Sequence, residues 1–333
     1  MPIQAFAALN KGQPLESFSY EPQPLAPHDV EVKISHCGIC HSDLHLVNND
    51  WGITSYPMVP GHEIIGTISQ VGSAVTQFKQ GQRVGIGWQA DSCGECEWCA
   101  KGEENLCARA APTCVGRHGG FASHIRVHAR FAIPIPDALS SENAAPLLCA
   151  GITVFSPLRT YGLGPNSRVG VIGIGGLGHL GLQFAKAFGC EVTAFSSTAD
   201  KEAEARKLGA HHFVATRTLG AVQKLGNSFD FILSTVTADL PWLDYVNALR
   251  PYGKLCFVGV PPSTLNLPVF PLLANKGVVA SNTGSTAGLR DMLQVAARHG
   301  IQAQTERFPL AKVNDAMGRV ARNEVRYRAV LEV

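Results

Sequence analysis

The polar and apolar positions of this chain change rhythm once. Through residues 1–150 apolar positions come in short alternating runs, the period of strands that bury one face. Val30, Val32 and Ile34 alternate with polar neighbours, and Ile64 to Val71, Arg83 to Gly87 and Phe121 to Val127 read the same way. Turn clusters such as Gln80-Gly81-Gln82 separate them. After Ser140 the period lengthens. Ser140 is placed to N-cap a helix through Leu148. Apolar strands predicted near 169–173, 191–195, 212–215, 229–234, 254–259 and 278–282 then alternate with helical stretches. Among these are Gly176–Phe188 and Asp200–Leu208, the latter closed by Gly209 at its C′ position. Strands joined by helical crossovers predict an α/β fold with a doubly wound parallel sheet. From about residue 286 the pattern predicts one more helix and a final strand, Arg326 to Leu331.

Composition narrows the classes. The 333 residues, 45% apolar and 16% charged, suffice for two domains with sizeable cores. A net charge of +2 offers no basic field for a phosphate backbone, so no nucleic-acid partner is expected. The start, Met1-Pro-Ile-Gln-Ala-Phe-Ala, lacks the basic flank of a signal peptide. The longest uncharged apolar stretch, Val169 to Ala185, is too short and too glycine-rich to span a bilayer, so no membrane partner is expected either. These features predict a cytoplasmic protein, in which ten cysteines point to metal or catalysis rather than disulfides.

Gly173-x-Gly175-x-x-Gly178 follows a predicted strand and opens a predicted helix, the setting a dinucleotide-binding loop needs. Gly173 permits the tight turn, Gly175 admits a pyrophosphate, and Gly178 lets helix and strand pack closely. The next strand runs into Ser196-Ser197-Thr198, where an NAD site carries an acid. Asp200 and Glu202 come later, in the next helix. Hydroxyls together with Lys201 suit a 2′-phosphate and favour NADP over NAD. The alternative is that Ser-Ser-Thr only caps that helix.

Cys93, Cys96, Cys99 and Cys107 place four thiols within fifteen residues, the ligand set of a closed structural zinc site. The rival iron–sulfur run requires C-x2-C-x2-C-x3-C-P, whereas here the last gap is seven residues and Ala108 follows. Glu95, Glu97, Glu103 and Glu104 surround the thiols, which argues against a nucleic-acid-binding zinc ribbon. A second set is Cys37-Gly-Ile-Cys40-His-Ser-Asp43-Leu-His45 with Pro60-Gly-His62-Glu63. Cys37 and Cys40 alone would read as a redox pair, yet that motif normally sits beside a βαβ unit. Cys40, His62 and Glu63 together offer the mixed ligands of an open, catalytic zinc.

These motifs occur in an order that resembles the zinc-dependent medium-chain alcohol dehydrogenases. Tyr56-Pro-Met-Val-Pro-Gly-His62 and Ser196-Ser197 resemble the cinnamyl-alcohol-dehydrogenase-like, NADP-dependent branch. The resemblance implies a β-rich GroES-like catalytic domain over about 1–150 and 286–333, with a Rossmann domain over 151–285. It implies two zinc ions per chain, with Cys40, His62 and Cys149 as ligands of the catalytic one. Spacing alone does not choose Cys149 over Cys114 or Cys256. By the same resemblance Glu63 is an alternate ligand, Asp43 orients His62, and Ser42 with His45 forms a proton relay. The resemblance also implies that Thr153 lies beside the nicotinamide and that Gly176 and Leu177 belong to the cofactor loop. Trp51 and Trp88 line the substrate pocket or serve the core, and the sequence leaves both open. The implied reaction is reversible hydride transfer between NADP(H) and a primary alcohol/aldehyde pair, as in a broad-specificity aldehyde reductase. An NAD-dependent relative or a non-enzymatic zinc module is the alternative. The family implies a homodimer acting on a small-molecule substrate. A zinc-free quinone-reductase-type relative would lack both ligand sets, and this chain has both.

Overall fold

A computed structural model describes residues 2–333 and divides them into two units. One unit comprises the residues up to Ile152 together with Thr283–Val333; the other is Thr153–Asn282.

The first unit is built on a seven-stranded sheet among the described residues. Its order is Thr305–Pro309, Arg328–Glu332, Asp29–Ile39, Glu63–Val71, Arg83–Ile86 and Ile133–Pro134, with His124–His128 also paired to Asp29–Ile39. Only the first pair is parallel. Val30, Val32 and Ile34 point into the core as their alternation predicts. Glu31 breaks the pattern, because it is buried too. Its carboxylate accepts from Arg126 Nε at 2.8 Å and from Ser69 Oγ at 3.0 Å, which replaces the water it loses. Register positions the chemistry: Gly38 lies opposite Glu63 and Ile39 opposite Ala329. Cys40, His62 and Arg328 therefore gather at one end of the sheet.

Three expectations for this unit need correction. The strand expected from Phe121 begins at His124, because Gly120 and Phe121 donate to the carbonyls of Gly61 and Pro60 and brace the turn before His62. The helix capped by Ser140 does not stop at Leu148. It runs Ser141–Pro146, widens into a π turn over Leu147–Gly151, and continues as α-helix to Thr160. The segment after 286 holds two helices, Thr286–His299 and Val313–Ala321, and two strands, since Thr305–Pro309 joins the sheet edge and the last strand is Arg328–Glu332.

The second unit is a six-stranded parallel sheet among the described residues. Its order is His212–Ala215, Glu191–Ser196, Arg168–Ile172, Phe229–Ser234, Leu249–Phe257 and Gly277–Ala280. In order of appearance that is 3-2-1-4-5-6, the Rossmann arrangement, whose chain reversal creates a crevice at the carboxyl ends of the central strands. The glycine-rich loop leaves the first strand at that reversal. Gly209, with φ +116°, ends the helix Glu202–Lys207 as expected. No helix among the described residues is long and apolar enough to cross a membrane.

Candidate active site and metal centres

Cys40 follows the central strand Asp29–Ile39 and N-caps the helix His41–Val47. Asp43, in the first turn of that helix, is fully buried and has three partners. Its Oδ2 accepts the Cys40 N–H at 2.9 Å, and its Oδ1 accepts the Gly61 N–H at 2.9 Å and His62 Nδ1 at 3.0 Å. A carboxylate only accepts, so Nδ1 carries a proton, and in the neutral ring that a metal requires the lone pair is on Nε2. Nε2 lies 3.3 Å from Cys149 Sγ, which lies 3.9 Å from Cys40 Sγ. Glu63 completes a buried group whose ligand atoms all lie within 4.8 Å of one another. A tetrahedral zinc with ordinary bond lengths would need S···S of roughly 3.8 Å and S···N of roughly 3.6 Å, so the donor set fits that ion. The Cys40 thiol is held well below its usual range by its hydrogen bond with Cys149, helped by His62 and Arg328, despite burial.

Cys149 sits in the middle of the π turn. An inserted residue of this kind re-aims the side chains around it. The structure brings Cys149, not Cys114 or Cys256, to Cys40. Cys114 lies on the Asp43 side of His62, and Cys256 is buried in the parallel sheet of the second unit.

Glu63 pairs with Arg328, and both are buried. Burial pushes the Glu63 carboxyl above the usual carboxylate range while the guanidinium pulls it back. Its Oε2 has no hydrogen-bond partner among the described residues. Sequence reasoning missed Arg328, whose one signal is a charge at the head of the apolar run Ala329-Val-Leu331.

An aromatic wall leads away from His62. Trp88 packs edge-to-face on His62 with ring centroids 4.9 Å apart, Trp51 on Trp88 at 6.2 Å, and His45 on Trp51 at 5.2 Å. Trp51 is 46% exposed and so is not a core residue. His45 Nδ1 lies 2.7 Å from the carboxylate of Asp50, a second partner that sequence reasoning missed. Ser42 Oγ is 3.7 Å from Cys40 Sγ, and among the described residues it has no hydrogen bond to His45.

The other thiol group lies in the lobe 93–107. Cys93 Sγ is 3.8 Å from Cys99 Sγ and 3.5 Å from Cys107 Sγ, again the edge lengths of a tetrahedral zinc site. The N–H groups of Cys96 and Arg109 donate to the sulfurs of Cys93 and Cys107, each at 3.3 Å, the support a metal-bound sulfur would take. N–H groups of Glu95 and Cys96 draw the Cys93 thiol down to about 6. None of the ten cysteines forms a disulfide among the described residues.

In the second unit each glycine of the loop has its own constraint. Gly173 has φ +88°. A Cβ on Gly175 would meet nothing within 4 Å, leaving open space for a ligand, whereas one on Gly178 would lie 1.8 Å from the Gly173 carbonyl oxygen. Gly176 and Leu177 form the turn into the helix Gly178–Ala187. Ser196 ends the neighbouring strand and is buried, Ser197 is exposed, and Lys201 Nζ donates to the Ile174 carbonyl at 3.0 Å across the loop. Thr153 is buried four residues beyond Cys149 in the same helical run.

Residues 26–137 match the family described as alcohol dehydrogenase GroES-like domain, and residues 176–298 match the zinc-binding dehydrogenase family. The chain is 43% identical to an aldehyde reductase from Synechocystis, across 99% of this chain and 98% of that protein. A solved cinnamyl alcohol dehydrogenase from Sorghum bicolor is 37% identical and superposes with a TM-score of 0.95, covering 100% of this chain and 98% of its own. A Helicobacter pylori cinnamyl alcohol dehydrogenase complexed with NADP(H) is 31% identical, with a TM-score of 0.91 and the same coverage.

Proposed function

The chain belongs to the zinc-dependent medium-chain alcohol dehydrogenases, and from that premise we propose that it interconverts primary alcohols and aldehydes with NADP(H) as a broad-specificity aldehyde reductase. The observation that carries this reading is the buried Cys40–His62–Cys149 set, with Nε2 turned to the thiols and two tryptophans leading outward. A zinc ion held there supplies a Lewis acid for the substrate oxygen, and the dinucleotide supplies or takes the hydride.

The protein's part is orientation and proton handling. Asp43 fixes the tautomer and angle of His62 and ties Gly61 and Cys40 to the same carboxylate. Arg328 holds Glu63 beside the set, ready to serve as an alternate ligand. Ser42 receives the alcohol proton. Because Ser42 and His45 share no direct bond, the proton crosses between them through an intervening hydroxyl or water. Asp50 then holds the His45 ring at the half-exposed end of the path. Trp51 and Trp88 give the substrate an apolar wall that favours aromatic and long aliphatic aldehydes without selecting one. Hydrophobic pockets discriminate only ~1–3 kcal/mol per methylene, which supports breadth.

In the second unit Ser196, Ser197 and Lys201 offer hydroxyls and an ammonium for a 2′-phosphate, and Thr153 serves the nicotinamide end. Two copies assemble through the outer strand Gly277–Ala280. Val260, Val269, Phe270 and Leu273, at 80, 70, 82 and 69% exposure, lie in the segments flanking that unpaired edge. Free thiols throughout suit a reducing, cytoplasmic setting. The test is a panel of aromatic and aliphatic aldehydes with NADPH and NADH on zinc-loaded protein. Turnover of several aldehydes with NADPH supports the reading, and no turnover of any defeats it.

A further inference from the structure

We propose that Glu104 is a positioning residue that ties the four-cysteine lobe to the helix supporting Cys149, so that the lobe sets the geometry of the Cys40–His62–Cys149 ligand set. The proposal rests on the reading of Cys149 as a ligand of the catalytic metal.

Glu104 opens the short turn Glu104–Leu106, three residues before the lobe thiol Cys107, and is 1% exposed. It is not one of the four thiols, and closing the lobe does not require a buried acid there. Its Oε1 accepts the Thr286 N–H at 2.5 Å, and its Oε2 lies 4.0 Å from the Arg130 guanidinium. The next residue, Asn105, donates from its side-chain amide to the Thr283 carbonyl at 3.1 Å. Two successive lobe residues thus hold the entry to the helix Thr286–His299. The first N–H groups of a helix have no partner within it. Ser285 Oγ accepts the Gly288 N–H at 3.1 Å, and Glu104 accepts another, on a residue that is itself buried. An acid at this end also complements the helix dipole.

The same helix packs on the π turn. Leu289, Met292, Leu293 and Ala296 are its buried face. Met292 Sδ stands 3.3 Å from where a Cβ on Gly151 would be. A Cβ on Gly87 would lie 2.8 Å from the Leu148 carbonyl oxygen and 3.5 Å from Leu289 Cδ1. Met292 therefore reaches the turn at Gly151, and Leu289 lies beside the Gly87 backbone that abuts the turn at Leu148. A helix released at its first residue shifts these two side chains, and an interior packed this closely transmits the shift to Cys149.

The test uses the full-length protein with zinc in the lobe and Co2+ in the catalytic set. It reads three things: lobe zinc content, the visible absorption of the thiolate-bound cobalt, and the rate at which a chelator removes that cobalt. Glu104→Ala is expected to keep its lobe zinc, shift the cobalt bands and release cobalt about ten-fold faster, the lower end of what disturbing a ligand's support costs. Glu104→Gln retains an acceptor for the Thr286 N–H and should restore most of the native rate and spectrum. Thr286→Pro removes the donor instead. Proline is tolerated at the first helical position, so this variant keeps the helix and should reproduce the fast release even where Glu104→Ala fails to fold. Native spectra and release rates in Thr286→Pro or a folded Glu104→Ala overturn the coupling, as does a change confined to lobe zinc. Failure of the underlying reading is distinguishable: a Cys149→Ser variant that binds cobalt as the parent does defeats the ligand assignment itself.

Discussion

Asp43 Oδ1 lies 3.0 Å from His62 Nδ1, with both side chains fully shielded from water. That bond fixes which imidazole nitrogen is free, and the other carboxylate oxygen fixes the backbone of Cys40. One acid thereby positions both proposed ligands at once. In Asp43→Asn an amide NH2 would confront at least one of three N–H donors. Affinity for the catalytic zinc should fall about 10–100-fold while the lobe zinc stays. Competitive chelation measures it, and native affinity would contradict the role.

Cofactor preference is tested at Ser196. A carboxylate there would repel a 2′-phosphate and accept from a 2′-hydroxyl. Ser196→Asp should raise KM for NADPH by at least about ten-fold, roughly one charge-pair interaction of 1.4 kcal/mol, and lower it for NADH. An unmodified protein that already prefers NADH would refute the assignment.

Ser42, His45 and Asp50 should lose activity in graded fashion. Ser42→Ala removes the first proton acceptor and should cost ~10²–10⁴ in kcat for alcohol oxidation with metal and cofactor binding intact. His45→Gln and Asp50→Asn should cost on the order of ten-fold, because water replaces an exposed group more readily, and small basic buffers should restore part of it. Unchanged kcat in Ser42→Ala would exclude the relay.

Phe270 tests assembly. Light scattering should give a dimer for the parent and a monomer for Phe270→Glu, since a charge on an apolar face opposes its burial. A monomeric parent would contradict the proposed interface.

The period of the apolar positions carried the two halves of the fold, since alternation and crossover patterns are local signals. The motifs carried most of the candidate ligands for the same reason: Cys93 to Cys107 lie close in sequence, and Gly173 to Gly178 constrain one turn. What was hidden depends on long-range packing. Arg328 meets Glu63 from 265 residues away. The π turn left no mark, because Leu147–Gly151 reads as an unbroken apolar helix. The strand Thr305–Pro309 buries only Phe308, so it shows no alternation. The helix Val313–Ala321 was readable, however: Val313, Ala316, Met317 and Val320 follow helical spacing and are its buried residues.

The most direct measurement is zinc content together with NADPH-dependent aldehyde reduction in Cys149→Ser. Two separate donor sets imply two zinc ions in the parent. The variant should retain about one, in the lobe, with its fold kept and its turnover down by at least ~10³, because a weakened ligand set loses the ion that activates the substrate. Two zinc ions with native turnover in this variant would contradict the assignment of Cys40, His62 and Cys149 as the catalytic centre.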